Sequence, residues 1–569
     1  MSTLRPAAFR LGPQPGEVID RDRPFRFTWD GQPYPALAGD TIASALAAAG
    51  VRTFSRGFKY HRPRGILTAS FHDPGCMVQV GDEPNVRAAH RRAEPGMVVT
   101  PQNVWPSLRL DVRTVNQVMG RFLTAGFYYK TFIKPQRLWP QYQKVLRRFA
   151  AGGRIPADGA HGSYDKRYAH PQVLVAGGGP AGMAAAVAAA EAGAAVMLVE
   201  EEHELGGHLR WGDAGERAAL EELRAAVAAQ PDIEVLTNSA VTGRYDDNWV
   251  TVVQRDLPHV RERLIKARAG TLVVAPGLIE RPYVFDGNDT PGVMLSTAVR
   301  RLVNLHAVRP GRRAVVLSAN PEGDAAVADL ERAGVEVVEV VDARRRGDVV
   351  RVAGGRSVAS VELGDGTKVG CDLVVTAVGW TAPTALLNMA GDRPVYRAEA
   401  ARFVPGEGLP PDVLATGCLA GDGSLDQLVD HARAVGRRAA TGEGLVPALE
   451  VVPHPALFRG RTHGMVDLSE DISSKDIVAA AREGYDSVEL VKRYTTVTMG
   501  AAQGKLETVN AVAILAEATG RSITETGTTV WRPPHVPITL GALAGRISEP
   551  VRYSPMQPWH ESHGAVPLV

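Results

Sequence analysis

The stretch Val173-Leu-Val-Ala-Gly-Gly-Gly-Pro-Ala-Gly182 decides how the middle of this chain folds. Its first four residues are apolar and predict a buried parallel strand, and the alanine-rich residues after the glycines predict a helix. In such a strand–turn–helix unit, Gly177 permits the tight turn, Gly179 lets the backbone approach a pyrophosphate, and Gly182 lets the helix pack closely on the strand. The helix N-terminus would offer N–H groups and partial positive charge to the phosphates. The stretch therefore predicts a Rossmann-type dinucleotide site.

The second strand of this unit is predicted over residues 195–199 and ends at Glu200. An acid about twenty residues after the glycines accepts hydrogen bonds from the adenosine ribose, and its carboxylate disfavours the 2′-phosphate of NADP. Glu201 is a second candidate contact. The pattern leaves NAD and FAD both open.

Three later segments, residues 205–209, 271–277 and 372–379, extend the pattern. They resemble recurring elements of two-dinucleotide flavoproteins of the thioredoxin-reductase type, and the resemblance covers about residues 170–445. Segment 413–422 matches the one that runs past the ligand, although Cys418 stands where such flavoproteins often have an aspartate for the ribityl chain. The candidate cofactor-binding residues of this region are Gly177, Gly179, Pro180, Ala181, Gly182, Glu200, Glu201, Gly207, Ala275, Gly277, Gly379 and Gly417.

Such flavoproteins carry a second Rossmann unit in the middle, and residues 312–317 predict its first strand. The turn that follows, Ser318-Ala-Asn-Pro-Glu-Gly323, lacks the first two glycines. Side chains there would obstruct a pyrophosphate, so we expect this site to be vacant and the central unit, about residues 295–365, to be mainly structural. One dinucleotide is predicted, not two.

The N-terminal residues 25–50 predict a hairpin with its turn at Asp30-Gly31, followed by a helix that begins after Thr41. This order resembles the opening of a plant-type ferredoxin module, whose cluster needs four cysteines. Only Cys76 follows, so we expect a ferredoxin-like β-grasp fold without an iron–sulfur cluster. Two interpretations of the loop with Lys59, His61, Arg62 and Arg64 stay open: an exposed basic loop, or a contact to nucleotide or partner.

The remaining segments carry weaker patterns. The aromatic residues between 100 and 150, namely Trp105, Phe127, Tyr128, Tyr129, Phe132 and Trp139, are expected to pack in a core, and residues 151–170 to form a linker. After Glu450 the sequence predicts a helix from Ser473 to Gly484 with a Ser-x-x-Asp capping box, a strand over 487–491 and a helix over 507–519. Between them, residues 492–505 are rich in hydroxyls, cations and glycine, which suits phosphate binding.

Composition excludes several classes of protein. With 569 residues, 45% hydrophobic and 22% charged, the chain predicts about three or four folded domains. A net charge of +2 with dispersed arginines gives no reason to expect nucleic acid. Three distant cysteines build neither a disulfide framework nor a metal site. No signal peptide or transmembrane run is apparent, so we expect a cytoplasmic protein.

Four motifs occur in the order found in the α subunit of heterotetrameric sarcosine oxidase. They are residues 58–65, the glycine turn at 177, residues 492–496 and Thr529-Val-Trp-Arg-Pro-Pro534, and together they cover nearly the whole chain. The chain thus resembles this family, with N-methylglutamate dehydrogenase, amino-acid dehydrogenase and opine oxidase α subunits sharing parts of it. The family's long form continues with a folate-dependent aminomethyltransferase domain, whereas this chain stops at Val569. A separate transferase chain, or a product that needs no folate, is then expected.

The resemblance implies a division of labour among subunits. A β subunit would carry FAD and the amine-oxidising site, the α subunit would hold NAD, and an FMN would lie between them; further small subunits are possible partners. By matching positions, the candidates for the α-side wall of the FMN site are Lys492, Arg493, Thr495, Thr496, Gln503 and Lys505. No catalytic residue is visible, and the substrate amine stays open.

The resulting expectation is an α/β multidomain protein in four parts. They are a ferredoxin-like module (1–98), a helical connector and linker (99–168), a thioredoxin-reductase-like Rossmann domain (169–448) and a small C-terminal α+β domain at a flavin and partner interface (449–569). Two other functions remain open: a self-contained FAD-dependent NAD(P)H oxidoreductase and a non-catalytic, nucleotide-bound scaffold.

Overall fold

The computed structural model describes residues 7–120, 123–126, 130, 134–149, 153, 162–345, 347–501, 503–544 and 553–565. The aromatic residues Phe127, Tyr128, Tyr129 and Phe132 lie outside the described residues, so their predicted packing is not addressed. Among the described helices, none combines the length and the apolar character needed to cross a membrane.

The N-terminal part folds around a five-stranded sheet. Its strands lie in the order Gln32–Ala38, Asp20–Trp29, Val98–Pro101, Met77–Val80 and Glu83–Arg87, and a short pair joins Ser55–Arg56 to Pro63–Arg64. The predicted turn has positive φ at both Asp30 and Gly31, as a two-residue hairpin turn requires. The helix Ile42–Ala48 is buried throughout, and Thr41 and Ser44 form its capping box. We call residues 7–104 the N-terminal module.

The nucleotide unit is a parallel five-stranded sheet. Its order is Ile233–Leu236, Val196–Val199, Val173–Ala176, Thr271–Val274 and Val413–Ala415, with helices Pro180–Glu191, Ala214–Ala228 and Leu425–Thr441. Strand, glycine turn, helix and second strand therefore follow one another as predicted from the glycine-rich stretch.

A second sheet lies beside this unit. It contains Ser239–Arg244, Trp249–Leu257, Val260–Arg268 and Tyr164–Ala169 in that order. The strand Tyr164–Ala169 pairs in parallel with Val260–Arg268, from Glu262 opposite Tyr164 to Ala267 opposite Ala169. The prediction that residues 151–170 form a linker is wrong for this stretch, because sheet pairing with a distant strand was not visible locally.

The central unit repeats the parallel arrangement on a smaller scale. Its strands are Val293–Leu295, Leu373–Ala377, Arg313–Ser318 and Glu336–Asp342, its helices Ser296–Asn304 and Pro321–Arg332, and a three-stranded sheet adds Val349–Ala353, Ser360–Leu363 and Lys368–Gly370. Two short pairs, Ile279–Glu280 with Trp380–Thr381 and Val395–Arg397 with Arg402–Val404, and the helix Ala385–Met389 connect it to the nucleotide unit.

The C-terminal part, residues 461–544, is mainly helical. It contains the strand pair Met465–Asp467 and Ile472–Ser473 and the helices Ser474–Arg482, Val488–Thr495, Thr508–Thr519, Ile523–Thr526 and Leu540–Leu543; a further helix, Gln557–Ser562, lies near the chain end. The predicted capping box is present, since Ser473 N–H donates to the Asp476 carboxylate at 2.9 Å.

Two predictions for the flanking segments are wrong. Residues 487–491, predicted as a strand, begin the helix Val488–Thr495, because the Ser487 side chain accepts the Leu490 N–H and caps the first turn. Trp105, predicted to be packed in a core, is 56% exposed. The described helices nearby are Val115–Met119 and Trp139–Phe149.

The basic loop at 59–64 joins three parts of the chain through ion pairs. Arg64 is buried and bonds both Asp289 of the central unit and Asp471 of the C-terminal part. Arg62 reaches the same Asp289 at 2.6 Å, and Lys59 lies 3.6 Å from Asp476. The interpretation as an exposed basic loop is wrong, since Lys59, His61 and Arg64 are buried and paired inside the chain, whereas a contact to nucleotide or partner stays a prediction. Buried cations need such partners, because an unpaired charge away from water is costly.

Candidate nucleotide-binding site

The three glycines of the Rossmann turn, Gly177, Gly179 and Gly182, have different structural roles. Gly177 has φ of +117°, and a Cβ there would overlap the Ala275 carbonyl; a Cβ on Gly182 would overlap the Gly177 carbonyl. Gly179 has φ of −72° and ψ of −177°, which any residue adopts, and the nearest atom to a Cβ there is Gly207 Cα at 3.9 Å. The fold therefore needs glycine at the first and third positions, whereas the second faces open space at the helix N-terminus.

That open space is a cavity of about 510 Å³. The sequence-predicted residues that line it are Gly177, Gly179, Pro180, Ala181, Glu200, Glu201, Gly207, Ala275, Gly277, Gly417 and Lys505. Two of the candidates from the Rossmann region are not in its wall. Gly182 is packed against the turn, and a Cβ on Gly379 would meet the Arg281 guanidinium. These two glycines serve packing, and the wall itself stays the predicted cofactor site.

Glu200 stands at the end of the second strand, where the Rossmann pattern places the ribose-binding acid. The Gly178 N–H donates to its Oε2 at 2.6 Å and the Glu202 N–H donates to its Oε1 at 2.8 Å. Burial, reinforced by the charge of Glu201, raises the pKa of Glu200 to about 7. Each carboxylate oxygen keeps a lone pair that can accept a hydrogen bond from a ribose hydroxyl group.

Several wall residues were not found from the sequence. The N-terminal module contributes Thr68, Ser70 and His72, the C-terminal part contributes His535 and Val536, and Trp211 and Arg301 also line the cavity. No local pattern marks these positions, because they reach the cavity only through the packing of distant segments.

Lys505, a candidate for the flavin wall, lines this cavity. Its side chain is buried, and Nζ donates to the His535 carbonyl at 2.6 Å. Burial, with repulsion from Arg87, lowers the pKa of Lys505 to about 7. The negative charge of Glu201 acts on Lys505 in the opposite direction and favours its protonated form.

The other candidates for the flavin wall lie around the end of the helix Val488–Thr495. Lys492 is half-buried, Arg493 is 70% exposed, and Thr496 is exposed. Thr496 and Gln503 both have positive φ, at +69° and +53°. Thr495 is buried and its hydroxyl donates to the Val491 carbonyl at 2.7 Å, so the structure does not place it on a surface wall.

The second Rossmann turn caps its own helix. The Asn320 side chain accepts the Gly323 N–H at 3.2 Å, and the buried Ser318 hydroxyl donates to Asp324 at 2.7 Å. Glu322 and Asp324 add two carboxylates to the first turn. Negative charge and an occupied N–H group both oppose phosphate binding there. The expected vacancy of this site stays a prediction, with this physical support.

Comparison with known families matches three segments of the chain. Residues 461–546 match the sarcosine oxidase A3 domain, residues 172–263 match FAD dependent oxidoreductase, and residues 22–104 match the 2Fe-2S iron-sulfur cluster binding domain.

Curated relatives align with almost the whole chain. Sarcosine oxidase subunit alpha of Rhizobium meliloti (strain 1021) is 38% identical over 98% of this chain and 62% of its own length. The protein of the same name from Corynebacterium sp. (strain P-1) is 32% identical over 97% of this chain and 60% of its own length. The chain thus spans about three fifths of the length of the curated relatives it matches.

One solved structure shares the fold along most of the chain. L-proline dehydrogenase from P. horikoshii superposes with a TM-score of 0.71 and 20% identity, covering 95% of this chain and 100% of that chain. This likeness confirms the predicted mixed α/β fold class. The predicted division into modules stays a prediction.

The match of residues 22–104 contradicts the prediction that the N-terminal module binds no iron–sulfur cluster. The segment is similar to a family of cluster-binding domains, so the prediction of a module that binds no cluster is wrong. A plant-type cluster needs four thiolates, whereas residues 22–104 contain Cys76 alone, with no exposed surface and with a pKa that burial raises. These residues do not fit a complete ligand set, and no electron-transfer step is assigned to a cluster.

Proposed function

We propose that the chain, which is similar to sarcosine oxidase α subunits, is the nucleotide-binding α subunit of a multi-subunit flavoprotein that oxidises a secondary or N-methylated amine. The observation that carries this proposal is the cavity at the Rossmann turn, where Gly179 leaves the helix N-terminus open. An adenine dinucleotide, NAD or FAD, is the ligand of that cavity in this proposal.

Within the cavity the chain's own residues would perform three tasks. Backbone N–H groups at the start of the helix Pro180–Glu191 would receive the pyrophosphate. Glu200 would accept the ribose hydroxyls, and its carboxylate would exclude a 2′-phosphate. Gly417, whose added Cβ would meet Ala181 Cβ at 2.9 Å, keeps the far wall close to the helix.

Amine oxidation would take place on a partner subunit that carries FAD. Several titratable residues of the cavity wall have structural partners in this chain: Glu280 accepts from Ser296 and Thr297, and Arg402 pairs with Asp422 at 2.8 Å. Groups engaged in this way are poorly placed to exchange protons with a substrate.

An FMN shared with the partner would bind at the surface around Lys492, Arg493, Thr496 and Gln503. The two cations suit a monophosphate, because charge-assisted hydrogen bonds to phosphate are stronger than neutral ones. Thr495 and Lys505 are buried in the chain, and their part in this wall stays a prediction.

A self-contained FAD-dependent NAD(P)H oxidoreductase would need a second dinucleotide site. The central turn opposes one, since Asn320 caps the helix and two acids occupy its first turn. The subunit function is therefore the better supported of the two.

The test is to purify the chain alone and with its co-expressed partners, release the cofactors and identify them by mass spectrometry. The proposal expects one adenine dinucleotide in the isolated chain, and FMN together with a second flavin only in the complex. An isolated chain that holds stoichiometric FAD and oxidises NADH would overturn it.

A further inference from the structure

The loop of the N-terminal module at residues 67–76 is organised around one carboxylate. Asp73, which is buried, accepts the N–H groups of Leu67, Thr68 and Ala69 on Oδ2 at 2.8–3.1 Å. Its Oδ1 accepts those of Gly75 and Cys76 at 2.9 and 3.1 Å. Five charge-assisted hydrogen bonds to a single carboxylate hold this loop in one conformation.

The loop is bonded directly to the acidic end of the Rossmann strand. His72 Nε2 lies 2.9 Å from Glu201 Oε1, and Arg301 donates to the Ala69 carbonyl at 2.9 Å and to Glu202 at 2.6 Å. Nearby, a ring nitrogen of His90 lies 2.9 Å from the Glu201 carbonyl. The N-terminal module is therefore fastened to the residues that follow Glu200.

This contact places three side chains of the loop in the wall of the nucleotide cavity. Thr68, Ser70 and His72 line it beside Glu201. His72 is only 8% exposed, and its Nδ1 has no hydrogen-bond partner among the described residues. That nitrogen has almost no accessible surface of its own, so His72 would meet a bound molecule through the exposed part of its ring.

We propose that the N-terminal module closes the adenosine end of the dinucleotide cavity, with His72 and the hydroxyls of Thr68 and Ser70 facing the bound nucleotide. The proposal rests on the proposed nucleotide function of the Rossmann turn. The adenosine end is assigned because the acid at the end of the second strand marks the adenosine ribose, and these side chains lie directly beyond it.

Enclosure by a second module couples nucleotide binding to module docking. A nucleotide held between the Rossmann strand and residues 67–76 would contact both, so its binding favours the docked position of the loop. By linkage, the bound nucleotide stabilises the docked loop as much as the docked loop stabilises the nucleotide.

The experiment measures the dissociation of labelled ADP, the half that NAD and FAD share, from the purified full chain. In His72→Ala the loss of the imidazole's contact with the ligand is expected to speed ADP dissociation about tenfold. His61→Ala is the matched control, because His61 is buried in the same module beside Asp111 at 3.1 Å but is not in the cavity wall. Its ADP dissociation rate is expected to match that of the wild type.

Hydrogen exchange provides a second readout that does not depend on any variant. Saturating ADP is expected to slow exchange at the amides of Leu67, Thr68 and Ala69, which close the loop around Asp73. Unchanged ADP dissociation in His72→Ala, or unchanged exchange at these amides, overturns the proposal. If ADP does not bind the wild-type chain at all, the proposed nucleotide function fails as well, so the two failures are distinguishable.

Discussion

Replacing Gly179 with valine is expected to weaken nucleotide binding while the protein still folds. The backbone at Gly179 lies at φ −72° and ψ −177°, an extended conformation that valine adopts without strain. A Cβ there meets only Gly207 Cα, at 3.9 Å, so the side chain would project into the cavity. The protein can accommodate the valine, whereas a pyrophosphate resting on the helix N-terminus cannot.

The magnitude follows from two unequal costs. Valine is a poorer N-cap than glycine, which costs the folded state about 1 kcal/mol. Overpacking against a bound ligand costs roughly 1–3 kcal/mol or more, and each 1.4 kcal/mol is a factor of ten in affinity, so Gly179→Val should weaken binding about tenfold to a hundredfold. Nucleotide affinity is therefore expected to fall by one to three times the free energy that the fold loses.

The assay compares nucleotide content after purification and ADP affinity by titration calorimetry, with folding checked by circular dichroism. Gly370→Val is the matched control, since no atom lies within 4 Å of a Cβ at Gly370 and the residue is not in the cavity wall. Gly182→Ala should instead prevent folding, because its Cβ would overlap the Gly177 carbonyl. A folded Gly179→Val protein that keeps wild-type nucleotide content would refute the reasoning.

Three further predictions concern charge. Because burial raises the pKa of Glu200 to about 7, the carboxylate that accepts the ribose hydroxyls forms only as pH rises through that value, and nucleotide affinity should fall below pH about 7. In Glu200→Gln this pH dependence of affinity, measured by equilibrium dialysis, should flatten. An unchanged pH profile in the variant would contradict the prediction. The folded pKa exceeds the unfolded value of 4.5, so without nucleotide this group stabilises the fold fully below pH 4.5 and loses that contribution as pH rises through about 7. Arg64→Met removes the guanidinium partner of the buried Asp471 and leaves Asp289 paired with Arg62 alone, so it should lower the free energy of unfolding in urea by roughly 3–5 kcal/mol. Arg62→Met, whose side chain is 35% exposed, should cost less than about 1 kcal/mol, and equal losses would argue against the buried ion pairs. The double variant Lys492→Ala/Arg493→Ala should reduce the FMN content of the assembled complex without reducing its dinucleotide content. FMN is measured by its fluorescence after release from the complex, and full FMN retention would count against the proposed flavin site.

Much of the nucleotide unit could be predicted because its determinants are contiguous. The alternation from apolar strand to glycine turn to alanine-rich helix lies within residues 173–192, and each step depends on local backbone geometry. The capping residues Thr41 and Ser473 were recognisable for the same reason, since a cap acts within one turn. Where the determinant was equally local but ambiguous, as at 487–491, a short apolar run did not distinguish strand from helix.

Only the tertiary structure decided which distant residues meet. The basic loop around Arg64 is a run of cations in the sequence, and its burial depends on Asp289 and Asp471, far away along the chain. In the same way, His72 and Lys505 are more than 400 residues apart in the sequence, yet both line the nucleotide cavity. Local sequence determines caps and tight turns, whereas whether a charge is solvated, paired or presented to a ligand is set by the carboxylates and carbonyls that folding brings within a few ångströms of it.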